Sequence, residues 1–294
     1  MKASAFRPRC SGKPMLAAAL LASWPHLASA YTSAGDRTFP AMILLPQVAP
    51  ADQIYLTPTT QPVAESRSTD LALNFAKTLT ERLGVRFEED YTWLGGNTGW
   101  QNLEMVTQYL AVLDPLREAL VSVGVDREWG GTGTRRIGAS PQGATTPTIY
   151  FAKGMGDLDI GYLRPLAVTG SIGYQLADAA PRPDNLLTGI AVEYSIPYLQ
   201  SKVRAFDLPD LLRGMTPLVE TFVVTPTSNR GSNRPSATFG PGVNYSGEGW
   251  EFTIEALVPA GRGAATGLGV AAQFNLSLDY FFPDTIGKPL FSAR

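Results

Sequence analysis

Trp250-Glu251-Phe252-Thr253-Ile254-Glu255-Ala256-Leu257-Val258 is the stretch from which the fold reads most directly. Trp250, Phe252, Ile254, Ala256 and Val258 share one parity, and Glu251, Thr253 and Glu255 share the other. Successive side chains of an extended chain point to opposite faces, so this segment has one apolar and one polar face. Residues 273–282 repeat the pattern still more cleanly. Phe274, Leu276, Leu278, Tyr280 and Phe282 stand against Gln273, Asn275, Ser277 and Asp279.

Working back from there, the same period of two recurs. Its apolar phases are Phe239/Val243/Tyr245, a weaker run at 217–225 around Glu220, Ile190/Val192/Tyr194/Ile196 and Leu166/Val168/Ile172/Tyr174. Earlier come Ala119/Val121/Val123/Val125, Leu103/Met105/Tyr109, Val85/Phe87/Tyr91/Trp93 and Leu71/Leu73/Phe75/Leu79. That makes about ten segments of about ten residues, the length a tilted strand needs to cross hydrocarbon.

Alternation alone does not separate a half-buried soluble strand from a membrane one. Two details favour the membrane. Carboxylates and Gly recur on the polar phase, which suits a wet or tightly filled interior. Aromatics gather at segment ends (Tyr91 and Trp93, Trp129, Tyr245 and Trp250, Tyr280 and Phe282), where interfacial girdles sit. No stretch reaches 18 consecutive apolar residues, so no helix is expected to span a bilayer. A sheet in lipid must close, because an open edge strands its backbone polar groups. The expectation is an all-β protein: an antiparallel transmembrane β-barrel of about 10 (10–12) strands.

Residues 1–30 read as a cleaved signal peptide. Lys2, Arg7, Arg9 and Lys13 form a basic start, an apolar run begins at Met15, and Ala28-Ser29-Ala30 is a small-residue cleavage site. Residues 31–68 read as an irregular, Pro-rich N-terminal arm or plug. The apolar island Met42-Ile43-Leu44-Leu45 marks a part of it that docks. Residues 69–294 are assigned to an outer-membrane β-barrel. Short turns such as 113–116 and 246–249 are expected on the periplasmic side, with longer links at 95–101, 130–146 and 228–235 outside. Residues 199–214 are expected to form a short helix at the periplasmic rim.

Removal of the leader takes away Cys10 and His26, the only Cys and His. The mature chain then has no Cys nucleophile, disulfide, His base, or Cys or His metal site. Loss of four cations moves the formal net charge from −2 to −6, which offers nucleic acid no footing. Gly130-Gly131-Thr132-Gly133-Thr134-Arg135-Arg136 lacks the Lys-Ser/Thr ending of a phosphate loop and reads as an external loop, with Arg135 and Arg136 in reach of lipopolysaccharide phosphates. Asp157 and Asp159 lack the closing Glu of a calcium loop and read as a turn. No metal and no cofactor is assigned.

The residues that carry a functional reading fall on the polar phase. Arg86, Glu88, Asp90, Glu104, Glu118, Asp126, Glu193, Glu220, Glu251, Glu255 and Asp279 are expected to line the lumen, with Glu128 beside them. Carboxylates in a confined channel favour cations. The first reading is a narrow passive channel or small-solute transporter with an acidic lumen. The alternative is a closed structural or surface-interaction barrel in which the acids pair with Arg and Lys. A membrane-embedded enzyme is the least favoured, because the barrel hydrolases that use a Ser–His pair need a His that is absent here.

Several stretches carry a family resemblance. They are Asn102-Leu103-Glu104, Ser122-Val123-Gly124, 128–133 (Glu-Trp-Gly-Gly-Thr-Gly), Gly154-Met155-Gly156-Asp157-Leu158, 162–170 (Tyr-Leu-Arg-Pro-Leu-Ala-Val-Thr-Gly), 194–199 (Tyr-Ser-Ile-Pro-Tyr-Leu) and Pro217-Leu218-Val219-Glu220. Across about residues 70–283 the chain resembles the outer-membrane transporters named for the meta-pathway of phenol degradation, and related outer-membrane β-barrels of unknown function. The resemblance implies an outer-membrane barrel loosely classed as a transporter. It does not specify a solute. Expected partners are outer-membrane lipid, lipopolysaccharide, the barrel-assembly machinery and a small solute. One departure from such barrels is a tail, 283–294, after the last alternating segment.

Overall fold

The computed structural model describes residues 32–228 and 234–291. The expected leader at 1–30, with Cys10 and His26, lies outside the described residues. A two-stranded hairpin comes first, β1 (Ser33–Ala34) and β2 (Arg37–Thr38). The wall follows: β3 (Gln53–Val63), β4 (Ser66–Thr78), β5 (Leu83–Leu94), β6 (Asn97–Trp100), β7 (Glu104–Asp114), β8 (Ala119–Glu128) and β9 (Ala144–Gly154). It continues with β10 (Leu166–Ala177), β11 (Asn185–Tyr194), β12 (Met215–Pro226), β13 (Ser236–Ser246), β14 (Trp250–Ala260) and β15 (Gly269–Ser277).

Each wall strand pairs antiparallel with its neighbours, and β15 pairs back onto β3. The sheet is therefore a closed ring of twelve strands, with β6 hydrogen-bonded to β5 outside it. Following paired residues once around the ring returns to β3 displaced by about 14 residues, which for twelve strands means a tilt of about 40°. Among the described residues no helix is long and apolar enough to cross a membrane.

Twelve strands replace the ten read from alternation. The two missed are β3 and β9, and both contain proline: Pro58 and Pro62 in β3, Pro147 in β9. Proline has no N–H for a ladder, so it argues against a central strand. The wall accommodates it where a ladder lapses. The β15–β3 pairing skips from Val270/Ala271 to Phe274, passing over Pro58. The β9–β10 pairing skips from Gly173↔Thr148 to Leu176↔Thr145, passing over Pro147. Pro241 of β13 sits in a third such lapse, opposite β14. The expected arm of 31–68 is corrected accordingly. Residues from Gln53 onward are wall, and only 32–52 lie off it.

The expected alternation is visible as inside and outside. Ile149 and Ile172 are 53% exposed and Ile190 49%, on the outer face. Ser122, Thr146, Asn244 and Thr253, of the opposite parity, are fully buried inside. The outer belt is bounded by aromatic groups at both rims. Tyr91 packs edge-on against Trp93 (4.7 Å) and Trp100 (4.9 Å) at one rim. Tyr245 stacks on Trp250 (5.6 Å) and Trp250 on Phe274 (6.1 Å) at the other.

The second of these is the rim where β3 begins and β15 ends, here called the termini rim. The 79–82, 115–118 and 247–249 turns lie there, and so do the longer 155–165 and 195–214 links. The short-turn expectation therefore holds for only part of that rim. The 195–214 link does carry short helical pieces, at Ile196–Tyr198 and Asp210–Arg213. The opposite, far rim carries 95–103, 129–143, 178–184 and 261–268.

The last strand stops sooner than its parity indicates. After Ser277 the chain turns into a short helix, Leu278–Phe281. The Leu278 amide donates to Asp52 O (2.8 Å) and its side chain is buried. Leu278 does not face the outer belt, contrary to the alternation.

Candidate functional site: the barrel interior and its N-terminal plug

Eight strands close around a space that side chains just fill, and twelve leave more room than side chains occupy. Here the extra room holds the chain's own residues 32–50. Their apolar side chains bury against the inner wall. Ala34, Phe39, Val48 and Ala49 pack with Leu120, Tyr150, Ala152 and Ala167. Met42 and Leu45 pack with Ala191, and Leu44 packs beside them. The apolar island of the sequence is thus docked inside the lumen.

The plug is fastened at the termini rim by Arg37, which is 0% exposed. Its guanidinium donates to the carbonyls of Pro165 (2.9 Å), Arg164 (2.5 Å) and Leu166 (3.1 Å). It lies 3.5 Å from Glu118 Oε2 and 4.1 Å from the centre of the Tyr198 ring. Glu118 sits in the β7–β8 turn at φ 49°, a left-handed conformation uncommon for a residue with a side chain. That geometry is held by what its carboxylate accepts: the Tyr198 hydroxyl (2.7 Å) and the Gly156 amide (3.0 Å). Burial, then the hydrogen bond to Glu118, pushes the Tyr198 hydroxyl above its ordinary pKa, so it stays a donor.

Deeper in, wall carboxylates hold the plug backbone. Glu220 accepts three consecutive amides, Ile43 to Oε1 (2.9 Å) and Leu44 (2.9 Å) and Leu45 (2.8 Å) to Oε2. Successive backbone N–H groups converging on one anion form a nest, and charge-assisted bonds of this kind are the strong ones. Glu251 accepts from the Ala41 amide (2.9 Å). Thr253 donates to Ala41 O (3.0 Å), Gln273 to Met42 O (3.2 Å) and Gln108 to Gln47 O (2.9 Å). Gly240 of β13 leaves room for the buried Glu255 side chain. A Cβ at Gly240 would lie 2.2 Å from Glu255 Oε2.

Beyond the plug, a cavity of about 210 Å³ remains in the lumen. Plug residues 41–47 form part of its surface, and Arg86, Glu88, Asp90, Glu104 and Asp126 line it from the wall. Arg86 pairs with Glu88. Further toward the far rim Glu128 accepts from Arg182 (2.6 Å) and Asn102 (2.6 Å).

The expected lumen residues are thus divided into groups. Arg86, Glu88, Asp90, Glu104 and Asp126 meet at the cavity. Glu220, Glu251 and Glu255 lie around the plug, with Glu193 buried in the same wall. Glu118 belongs to the rim fastening. Asp279 lies off the wall strands, in the short helix after β15, and accepts from the Ser277 hydroxyl. Burial raises its carboxyl above the ordinary carboxylate range. Arg37 and Tyr198 were missed by the sequence reading, since a single Arg in a polar arm and a Tyr in a loop carry no periodic signal.

The fold and interior together define a class: a closed, antiparallel twelve-stranded β-barrel with an apolar outer belt, a polar interior and an N-terminal plug. Solved structures similar to the chain include the KdgM porin, 12% identical, with 76% of this chain and 98% of that chain covered and a TM-score of 0.47. The NanC porin is 10% identical, with 76% and 98% covered and a TM-score of 0.48. LpxR from Salmonella typhimurium is 10% identical, with 76% and 99% covered and a TM-score of 0.43. No family model matches the chain, and no curated protein matches it by sequence.

Proposed function

We propose that the protein is an outer-membrane channel for small solutes, with an acidic lumen that its own N-terminal segment narrows. The supporting observation is the interior. Polar and carboxylate side chains face inward around a cavity of about 210 Å³, while an apolar belt between two aromatic rims faces outward. The motif resemblance to the transporters of the meta-pathway agrees with the reading.

Cations, and neutral solutes with them, are the favoured passengers. Among the described residues Arg86 is the single cation on the wall of the cavity, against Glu88, Asp90, Glu104 and Asp126. Fixed charge acts strongly where water is scarce. Reversal potentials of the purified barrel in a planar bilayer under a salt gradient test this, with cation preference expected. Replacing the cavity-lining Asp90 and Glu104 together by Asn and Gln lowers that preference. Anion preference, or no change on substitution, contradicts the acidic-lumen reading.

The second reading, a closed barrel that works through its surface, is favoured by one observation. Glu220 and Glu251 are bound by plug amides and not open to solutes. Absence of current from a folded barrel would put it first.

A further inference from the structure

The lumen cavity holds one acidic group that the fold leaves unanswered. Asp126 is 3% exposed, lines the cavity, and its Oδ1 has no hydrogen-bond partner among the described residues. Arg86 lines the same cavity, and its guanidinium donates to Glu88. A buried carboxylate remains ionised only beside a compensating charge. The space next to it is large enough for a molecule and not merely an ion. The described residues offer no cluster of acids close enough to hold a metal. Two tyrosines, Tyr55 and Tyr150, also line the cavity, and aromatic faces favour organic cations over hydrated metal ions.

We infer that this cavity is a binding site for a small organic cation, an alkyl-ammonium or guanidinium compound, with Asp126 as its counter-charge. The aliphatic part lies against the tyrosines and against plug residues such as Leu44 and Pro46. The cation takes up the free Asp126 oxygen. An anion of the same size meets a net excess of acids and is rejected. The inference deepens the channel reading by naming a substrate class, and it rests on that reading for the way in.

The test is calorimetric titration of the full folded chain in detergent with 1,4-diaminobutane. Its uncharged isostere butane-1,4-diol serves as the comparison. The diamine binds and the diol binds at least about tenfold more weakly, the loss expected for one charge-assisted contact. Asp126→Asn lowers diamine affinity about tenfold and leaves the diol unchanged. If that variant does not fold, the diamine–diol comparison on the unaltered chain decides. Equal binding of the two, no binding, or diamine binding indifferent to Asp126→Asn overturns the inference. In the no-binding case a proton, not a ligand, neutralises Asp126. Current is read separately on the same preparation. A chain that conducts but does not bind the diamine overturns this inference and leaves the channel reading standing. A chain that binds it but passes no current supports the inference and overturns conduction.

Discussion

At the scale of residues, Arg37 and Glu220 hold the plug, one at the rim and one at depth. Arg37→Ala leaves Glu118 buried without its cation and takes the guanidinium from three carbonyls, of which Pro165 O and Leu166 O keep the Ser195 and Met155 amides. Breaking a buried pair from one side costs about 3–5 kcal/mol. The loss should appear as faster hydrogen exchange and protease cleavage across residues 39–50, with the barrel intact by heat-modified gel mobility. Glu220→Gln keeps the shape but removes the charge that gathers the Ile43, Leu44 and Leu45 amides. Each charge-assisted bond contributes about 1.5–3 kcal/mol, and a neutral amide oxygen retains part of that. Those three amides should therefore exchange faster than in the parent, while wall amides such as that of Val219 do not change. Uniform exchange across wall and plug would mean Glu220 supports the barrel and not the plug. The sequence displayed the inward acids but not what they hold. Parity gives a direction, whereas a partner 177 residues away along the chain, as Ile43 is from Glu220, leaves no local trace.

At the scale of elements, the lipid-facing phase is open to a depth-dependent test. Ile172 lies midway along β10 and Tyr174 nearer the far rim, both on the outer face. An Arg at Ile172 should cost about 2–4 kcal/mol of folding stability in lipid, and an Arg at Tyr174 about 0–1 kcal/mol. Equal costs at the two positions would contradict the placement of β10 across the bilayer. Ten of the twelve wall strands were legible because side chains there obey a strict period of two. The others were hidden by a conflict between two local rules. In β3, Tyr55, Thr57 and Thr59 alternate with Ile54 and Leu56, but Pro58 and Pro62 argue against a strand. The proline signal is outweighed once the neighbouring ladder lapses at that place, and a lapse is a property of two strands, not of one. The end of β15 failed for the reverse reason. Its alternation continues through Leu278 and Tyr280, yet after Ser277 the chain turns into the helix Leu278–Phe281, with the Phe282 amide donating to Leu278 O.

At the scale of the whole molecule, ring size explains the plug. A ring of twelve strands encloses more than its own side chains fill, and residues 32–50 occupy the difference on the termini side. The size of the ring was not legible, because counting strands requires finding the proline-bearing ones. The apolar island at 42–45 was legible as something that docks, though not where. Solutes are proposed to pass through this lumen, with the plug limiting their flow. Single-channel recording tests this most directly, comparing the parent chain with one in which residues 41–47 are replaced by a Gly/Ser linker of equal length. The linker keeps the Arg37 fastening and removes the docked side chains and their ordered amides. The expected result is small, cation-preferring currents from the parent and a several-fold larger conductance, still cation-preferring, from the linker chain. A folded, heat-modifiable barrel that passes no current above background in either form would contradict it.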